Sequence, residues 1–260
     1  ELFVSLTLYE HAGAVACCII KEKSATPYEP SPVNSLDEGV ESRRSMRVAV
    51  LSSGGKDSAA AWWWAICRGW EVKALVTVDV QSDDSPMFQI TGTHLVEEQA
   101  LLAGIEWINV PTDGTTDNDM NDLAKALSNL DIDGFVSGAL RSDYQKSRLE
   151  RMGQRLNLHS WTPLWHQDGN THVLELIKNG FEIMITSVSC QGLYDTLLGQ
   201  TLTLDSFKQL QNLARTHRFN VEGEGGEYET LVLTGPHING RLQVKATPIW
   251  DGRRGSLRFH

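Results

Sequence analysis

The residues with the clearest chemistry lie in one short segment, Val48 to Ser58, with the sequence VAVLSSGGKDS. An apolar run leads into a Gly-Gly turn, and an apolar helix-forming stretch follows at once. Such a turn directs successive backbone N–H groups into one concavity, with the positive end of a helix dipole behind them. Lys56 adds a mobile positive charge, Ser53 adds a hydroxyl donor, and Asp57 is able to orient a metal ion or a water. The segment therefore predicts a phosphate pocket, but not a Walker A loop, because an aspartate follows the lysine and the first Walker glycine is missing.

A second informative segment, Val221 to Thr230, has the sequence VEGEGGEYET. It contains four carboxylates and three glycines between Glu222 and Glu229. Like charges this close repel one another unless a cation, a cluster of donors or water relieves them. Glycines permit the backbone to approach a ligand closely. The segment predicts a site for a cation or an amine, with an exposed acidic turn as the alternative.

A third segment begins at Ser142, where Gln145 three residues later fits a capping box. The pattern predicts a helix from there to about residue 156. Arg148 shares a face of this helix with Tyr144, close to the carboxyl end of the strand predicted over residues 134–137. Ligands of open α/β sheets collect at such strand ends, so both residues are candidates for ligand contact.

These segments need elements to position them, and from Met46 onward strand-like and helix-like stretches alternate. Alternation of this kind predicts a parallel sheet with helices on both faces. Helices are predicted over His94–Ala103 and, from the apolar spacing of residues 120–130, before the fourth strand. Three consecutive tryptophans, Trp62–Trp64, cannot share one helix face, so at least one must meet another element, a partner or solvent. The predicted strands are Arg47–Ser52, Val72–Asp79, Trp107–Val110, Gly134–Ser137 and Ile183–Thr186.

Composition indicates an ordinary soluble enzyme. Of the 260 residues, 41% are hydrophobic and 22% are charged, and the net charge is −10. From Met46 to the end, 19 basic and 26 acidic residues still leave a net charge of −7. This acidity argues against a duplex or a tRNA as the main partner. The cysteines lack zinc spacing and a Cys-x-x-Cys pair, which favours reduced thiols in a cytosolic protein. They are Cys17, Cys18, Cys67 and Cys190.

The first 45 residues have a different character. The apolar stretch Leu2–Ile20 is interrupted by Glu10 and His11, and its longest uninterrupted part is too short to span a bilayer. A proline-rich and then acidic stretch follows, which is typical of a disordered linker. We expect the native domain to begin at Met46, with residues 1–45 as an extension or a misplaced start.

The sequence Ser53–Ser58 resembles the PP-loop of the N-type ATP pyrophosphatases, which split ATP between the α and β phosphates. Further motifs follow it in one order, and the whole set, from Met46 to the C-terminus, is similar to the diphthine–ammonia ligases, also called diphthamide synthetases. Two departures are the extra residues 1–45 and the sequence Gln89-Ile90-Thr91, where the family pattern has residues of the His-Thr type. The motifs are Met87-Phe88, His94-Leu95, Glu98-Gln99, Gly138, Ser142–Gln145, Pro163–Trp165 and Gly223–Thr230.

The resemblance implies an α/β protein with a Rossmann-type, HUP-like parallel sheet and a smaller α/β C-terminal domain. The expected domains are a PP-loop domain over residues 46–165 and a substrate-binding domain over residues 166–260. The implied activity is amidation of diphthine, a modified histidine of translation elongation factor 2, by ammonia in the cytoplasm. ATP and Mg²⁺ are the implied cofactors. No nucleic acid is expected as the main substrate, and no membrane is expected as a partner.

The expected site follows from the motifs and the resemblance together. We expect catalytic roles for Lys56, Asp57, Arg148 and Glu227, with Asp57 also holding the metal. The residues expected to bind the nucleotide are Ser52, Ser53, Gly54, Gly55, Lys56, Asp57, Ser58, Asp79 and Gly138. The residues expected to bind the acceptor are Tyr144, Gln145, Glu224, Gly225, Gly226, Tyr228 and Glu229.

Two alternatives belong to different classes of protein. One is another PP-loop adenylating enzyme that modifies tRNA, although thiolation usually needs paired reactive cysteines and tRNA binding needs a basic surface. The other is a non-catalytic module of the same fold that binds ATP and releases no pyrophosphate.

Overall fold

Two β-sheets organise the part of the chain that the computed structural model describes, residues 44–80, 92–113 and 115–260. The strands are β1 Arg47–Leu51, β2 Glu71–Val80, β3 Glu106–Thr112, β4 Gly134–Val136, β5 His159–Trp161, β6 Glu182–Val188, β7 Tyr228–Thr234, β8 Ala246–Trp250 and β9 Gly255–Phe259. The helices are α1 Lys56–Cys67, α2 Val96–Ala103, α3 Thr116–Ser128, α4 Asp143–Leu156, α5 Gly169–Lys178 and α6 Leu204–His217.

The first sheet is parallel, and its strand order is β3-β2-β1-β4-β5. From β1 the chain builds outward through β2 to β3 and then crosses back to add β4 and β5 on the other side of β1. The direction of winding therefore reverses between β1 and β4. In open α/β sheets, ligands bind in the crevice outside the carboxyl ends of the two strands at such a reversal.

Helices cover both faces of this sheet, as the alternation of elements predicts. Val48 and Val50 of β1 point into a core with α1 and α2, whereas Ala49 points into a core with α3 and α4. All three residues are fully buried, as expected for a parallel strand that is covered on both sides. The helix predicted over His94–Ala103 is present as a 3₁₀ turn, Thr93–Leu95, followed by α2.

The second sheet is antiparallel, with the strand order β7-β6-β9-β8. The sequence places Ile183–Thr186 in the parallel sheet, and this expectation is wrong, because that segment forms β6 and pairs antiparallel with β7 and β9. The fifth parallel strand is instead β5, a three-residue strand that pairs with β4. Local hydrophobicity marks a strand as buried but does not encode its partner, so β6 looks like any core strand.

The two sheets share a core that is built around α1. Buried residues of α1 pack with Val173 of α5, Ile183 of β6 and Val232 of β7 in one continuous cluster. Each of the three tryptophans of α1 contacts an aromatic side chain of another segment. This agrees with the expectation that at least one of them meets another element, a partner or solvent. Trp62 packs against His237, Trp63 against Phe181 and Trp64 against Trp70, with ring centroids 4.2, 5.4 and 5.0 Å apart.

Candidate functional site

The Gly-rich loop joins the carboxyl end of β1 to the first turn of α1. Gly54 has φ +82°, a left-handed conformation that side chains rarely adopt, and its N–H donates to Ser52 Oγ at 3.2 Å. The Ser58 hydroxyl donates to the Gly55 carbonyl at 3.0 Å and so closes the loop onto the helix. The Gly55 cap makes no side-chain hydrogen bond to the start of α1.

Strand β7 of the second sheet holds this loop from behind. The Gly54 carbonyl accepts from Val232 N at 2.9 Å and from Gln99 Nε2 at 3.1 Å, and the same Gln99 amide donates to the Val232 carbonyl at 2.6 Å. The Lys56 N–H donates to Thr230 Oγ1 at 3.1 Å. The shape of the loop therefore depends on α2 and on the C-terminal sheet as well as on its own sequence.

The loop after β4 lies against the other side of α1. A Cβ atom on Gly138 would lie 2.6 Å from the Asp57 carbonyl carbon and 2.7 Å from Ser58 N. Real Cβ atoms do not approach backbone atoms this closely, so only glycine lets the β4 loop reach the helix start. This close approach forms one side of the crevice between β1 and β4.

The charged centre of the site is a chain of three side chains. Lys56 Nζ lies 2.9 Å from Asp57 Oδ2, and His172 Nε2 lies 2.9 Å from Asp57 Oδ1. Burial by itself would raise the pKa of Asp57, but the charge of Lys56 and the hydrogen bond from His172 outweigh it and lower the pKa to about 2. Asp57 is therefore a carboxylate at neutral pH. His172 is missing from the sequence predictions, because a single histidine on α5, 115 positions along the chain, gives no local signal of this contact.

The acidic segment 222–229 is relieved mainly by donors from the protein itself. Glu222 is buried and lies 3.3 Å from Arg141 Nε, and Glu224 Oε1 accepts from Arg141 N at 3.1 Å. Burial raises the pKa of Glu224, and the bond from Arg141 opposes that rise. Glu227 accepts from Asn220 N, from Asn220 Nδ2 and from Gly225 N at 2.8–3.0 Å, so this carboxylate holds the shape of its own turn.

Tyr228 lies at the inner end of the acidic segment. Its hydroxyl donates to the Val221 carbonyl at 2.7 Å, and Lys56 Nζ lies 5.5 Å from its ring centroid. Burial raises the pKa of Tyr228 well above its ordinary value, so the hydroxyl stays protonated. Tyr228 thus brings an aromatic face, and not a charge, next to the Lys56 ammonium.

Lys56, Asp57, Glu224 and Tyr228 line a cavity of about 890 Å³, a volume typical of small-molecule sites. One wall is the Gly-rich loop with the loop after β4, and the opposite wall is the acidic segment with the ends of β6 and β9. The structure brings the predicted site residues together here, with five exceptions that do not line the cavity. The exceptions are Gly54, Asp79, Tyr144, Arg148 and Glu227.

Each exception has a visible contact elsewhere. The Gly54 carbonyl points to β7, as described, and Asp79 Oδ2 accepts from Asn109 Nδ2 at 3.1 Å. The Arg148 guanidinium lies over the Tyr144 ring at 3.5 Å on the surface of α4. This helix begins at the predicted position, with Ser142 Oγ accepting from Gln145 N at 3.3 Å. The motif residues Met87 and Phe88, the sequence 89–91 and residues 1–43 lie outside the described residues.

The far wall contains residues that the sequence analysis does not single out. Ser187 and Ser189 come from the end of β6, and Asp251 and Arg254 come from the turn between β8 and β9. The backbone N–H of Arg254 donates to Asp251 Oδ1 at 2.7 Å, which orders this turn. The Asp-Gly pair at 251–252 is a hairpin signal that could have located the turn, although not its place on the cavity.

Three further findings concern the described residues as a whole: the state of the cysteines, the length of the helices and the grouping of possible metal ligands. Cys67 and Cys190 are free thiols, and burial, followed by the charge of Glu227, raises the pKa of Cys190 to about 11. Across the described ranges, no helix is long and apolar enough to cross a membrane. Among those residues, no three His, Cys, Asp or Glu side chains are grouped so that they could hold a metal ion.

Comparison with known proteins finds two family models and a solved structure that resemble this chain. A family model described as the diphthamide synthase N-terminal domain matches residues 46–160, and one described as the diphthamide synthase C-terminal domain matches residues 168–260. A solved structure described as a predicted subunit of tRNA methyltransferase from Methanocaldococcus jannaschii covers 73% of this chain and 99% of its own chain. With 16% identity and a TM-score of 0.39, that likeness supports no conclusion.

The similar proteins of known name are diphthine–ammonia ligases. The protein from Mus musculus is 31% identical over 225 residues, which cover 78% of this chain and 84% of the mouse protein. The protein from Danio rerio is 33% identical, with 78% and 88% covered, and the protein from Homo sapiens is 31% identical, with 78% and 85% covered. With two family models that together match most of its length, this chain belongs to the diphthamide synthase family, whose named members are diphthine–ammonia ligases.

Proposed function

We propose that this chain amidates diphthine with ammonia in an ATP-dependent reaction that yields diphthamide, AMP and pyrophosphate. One observation carries the proposal: in a member of this family, a single cavity has the Gly-rich loop on one wall and the acidic segment on the other. The first wall suits the phosphates of a nucleotide, and the second suits an acceptor that carries a cation.

The chemistry explains why the nucleotide is needed. A carboxylate is inert to ammonia, so one of its oxygens first attacks the α-phosphorus of ATP, which forms an acyl-adenylate and releases pyrophosphate. Ammonia then forms the new C–N bond while the C–O bond to AMP breaks, and one proton is released. The backbone N–H group of Gly55, with Lys56 and Ser58, stabilises the charge that grows on the departing pyrophosphate.

The residues present fit a nucleotide. Glycine at position 54 permits the left-handed turn of the loop, and glycine at position 138 lets the loop after β4 approach the start of α1. The Lys56 side chain is only 4% exposed and lies at the same point, so its charge acts in a site of low dielectric. This is the arrangement that a phosphate group needs.

We also propose Mg²⁺ as the companion of ATP, with Asp57 as its protein ligand. In nucleotide sites this ion is usually held by phosphates and by one or two carboxylates, so a preformed cluster of ligands is not required. Both oxygens of Asp57 are engaged, by Lys56 and by His172, so Asp57 gives up one contact when it binds the ion. The chemistry that Mg²⁺ supplies is neutralisation of phosphate charge.

The acceptor lies on the opposite wall in this proposal. Diphthine carries a quaternary ammonium group, which carboxylates and aromatic faces attract, and Glu224 and Tyr228 offer both. Gln145 and Arg254 line the same cavity and are the groups best placed to hold the reacting carboxylate. The catalytic roles of Arg148 and Glu227 stay predictions.

The acceptor protein that we propose is translation elongation factor 2, in the cytoplasm. We propose a PP-loop domain over residues 46–165 and a substrate-binding domain over residues 166–260, with residues 1–45 as an extension. Matches to the two family models over 46–160 and 168–260 support these bounds. The net charge of −7 from Met46 onward supports a protein acceptor rather than tRNA.

One incubation tests the proposal. The protein is mixed with ATP, Mg²⁺, ammonium and elongation factor 2 that bears diphthine, and the mass of the factor and the nucleotide products are measured. We expect the mass change of a hydroxyl replaced by an amine, together with AMP and pyrophosphate. Products of ADP and phosphate would refute the mechanism, and ATP binding without pyrophosphate release would indicate the non-catalytic module.

A further inference from the structure

A second cavity, of about 410 Å³, lies between α1 and α5. None of the residues to which a role is given above, other than His172, lines it. Its walls are largely apolar and include Trp63, Trp64 and Cys67 of α1, whereas two carboxylates, Asp168 and Glu175, belong to the side formed by α5 and its cap. The proposed function leaves this cavity without a role.

One hydrogen-bonded side-chain pair links the linings of the two cavities. His172 lines the second cavity and is 5% exposed, and its Nε2 lies 2.9 Å from Asp57 Oδ1. Asp57 in turn lines the main cavity beside Lys56. This hydrogen bond therefore joins a residue of the second cavity to a residue of the main cavity.

The charges of the second cavity suit a small cation. Asp168 accepts from Thr171 N at 2.8 Å, and this bond lowers the pKa of Asp168, so its carboxylate is charged at neutral pH. Glu175 is a second carboxylate, partly compensated by Lys178 at 3.0 Å. The Arg68 guanidinium lies 4.3 Å from the Trp64 ring centroid, so one face of this ring already contacts a cation.

The proposed reaction needs a nitrogen nucleophile behind the adenylate. In the proposed function ATP and the acceptor share the main cavity, and water that reaches it would hydrolyse the acyl-adenylate. Carboxylates at one side of the second cavity attract ammonium, which releases its proton to solvent at that exposed side. The apolar walls favour the neutral ammonia that remains, because a charge is costly to bury. We propose, on the basis of the proposed function, that the second cavity is the ammonium-collecting entrance that supplies ammonia past His172 to the main cavity.

Filling the cavity tests the proposal. Cys67→Phe adds bulk at its wall, and Cys67→Ala is the matched control without bulk. Amidation is measured against ammonium concentration, and adenylation is measured separately as exchange of labelled pyrophosphate into ATP with the acceptor but without ammonium. We expect Cys67→Phe to raise the KM for ammonium roughly tenfold, equivalent to about 1.4 kcal/mol, with exchange within about twofold of wild type. Cys67→Ala should match wild type in both assays.

Charge variants provide the second arm. Glu175→Gln should raise the KM for ammonium roughly twofold to threefold, as expected for one exposed carboxylate, and should leave the KM for neutral hydroxylamine unchanged. The control is Glu150→Gln, an exposed glutamate of α4 that is also paired with a lysine, Lys146. If thermal unfolding shows that Cys67→Phe is less stable than the wild-type protein, Gln167→Trp is used as the cavity-filling variant instead, because Gln167 lies at an exposed position of the cavity wall.

The outcomes separate the two proposals. An unchanged KM for ammonium in a folded, cavity-filled variant overturns the entrance, even if amidation itself is observed. Equal losses of exchange and of amidation also overturn it, because they indicate damage to the nucleotide site. Absence of exchange and of amidation in the wild-type protein refutes the proposed function instead.

Discussion

His237 occupies an unusual position in the shared core. It is 5% exposed, and its ring lies 4.2 Å from Trp62 and 5.5 Å from Phe181 by centroid. Among the residues that the structure describes, neither ring nitrogen has a hydrogen-bond partner. Burial lowers the pKa of His237 from 6.5 to about 3. The imidazole is therefore neutral in the folded protein over the whole physiological range.

The sign of the effect on stability follows from proton binding. Between pH 6.5 and pH 3 the unfolded chain protonates His237 whereas the folded chain does not, so stability falls as the pH falls. With about 1.4 kcal/mol for each pH step below the unfolded pKa, the loss from this group is about 1 kcal/mol at pH 6 and about 2 kcal/mol at pH 5. His237→Phe keeps a ring and removes the titrating group, so we expect it to remove this loss.

Urea unfolding at pH 7.5, 6 and 5 measures the effect as the difference in unfolding free energy between variant and wild type. We expect this difference to move in favour of His237→Phe by about 2 kcal/mol between pH 7.5 and pH 5. Leu127→Ala, an apolar change in the separate core with α3 and α4, is the control and should cost the same free energy at every pH. A difference between His237→Phe and wild type that stays constant with pH would refute the reasoning, because the imidazole would then titrate alike in both states.

Four further predictions concern the site. Lys56→Ala should lower turnover at least tenfold or so, with a much smaller change in ATP binding, because the lysine acts on charge that develops in the transition state; steady-state kinetics in which turnover survives within a few-fold would contradict that role. Glu224→Gln should raise the apparent acceptor constant roughly tenfold and the ATP constant less than about threefold, and the reverse pattern would indicate a metal–nucleotide site. Gln99→Leu removes two donated bonds of about 1 kcal/mol each, so urea unfolding should show a loss of about 2 kcal/mol, and an unchanged midpoint would show that the bridge to the Gly-rich loop is unimportant. A chain that begins at Met46 should fold and stay active, since the proline-rich and acidic stretch before it offers little to bury, and loss of soluble expression would contradict this.

The Gly-rich loop could be predicted because its sequence signals are local. A phosphate loop uses consecutive backbone N–H groups and the first turn of one helix, so the segment from Ser52 to Ser58 is enough to predict the loop, although not the contacts that hold it. The cap at Ser142 and the strands β1 to β4 are local in the same sense. The short strand β5 was not predicted, because one exposed and two half-buried residues leave too little pattern to detect.

The acidic segment could be predicted only in part. Its sequence shows that the carboxylates must be relieved, but not by what. Arg141, on the loop after β4, contacts the carboxylates of Glu222 and Glu224. The N–H groups of Asn220 and Gly225 donate to the carboxylate of Glu227. Some of the charge that the sequence offers to a ligand is thus already used to build the site.

The sequence by itself determined the local features of the site: a Gly-rich loop between a strand and a helix, an acidic glycine-rich segment, and the alternation of strands and helices from Met46 onward. Tertiary structure alone decided which residues complete it, because those contacts join segments far apart in the chain. His172 reaches Asp57 from α5, Thr230 and Val232 hold the Gly-rich loop from β7, and the far wall comes from the last hairpin. A spacing pattern records which residues share a face of one helix or strand, whereas the partner across a packed interface depends on how the two sheets meet.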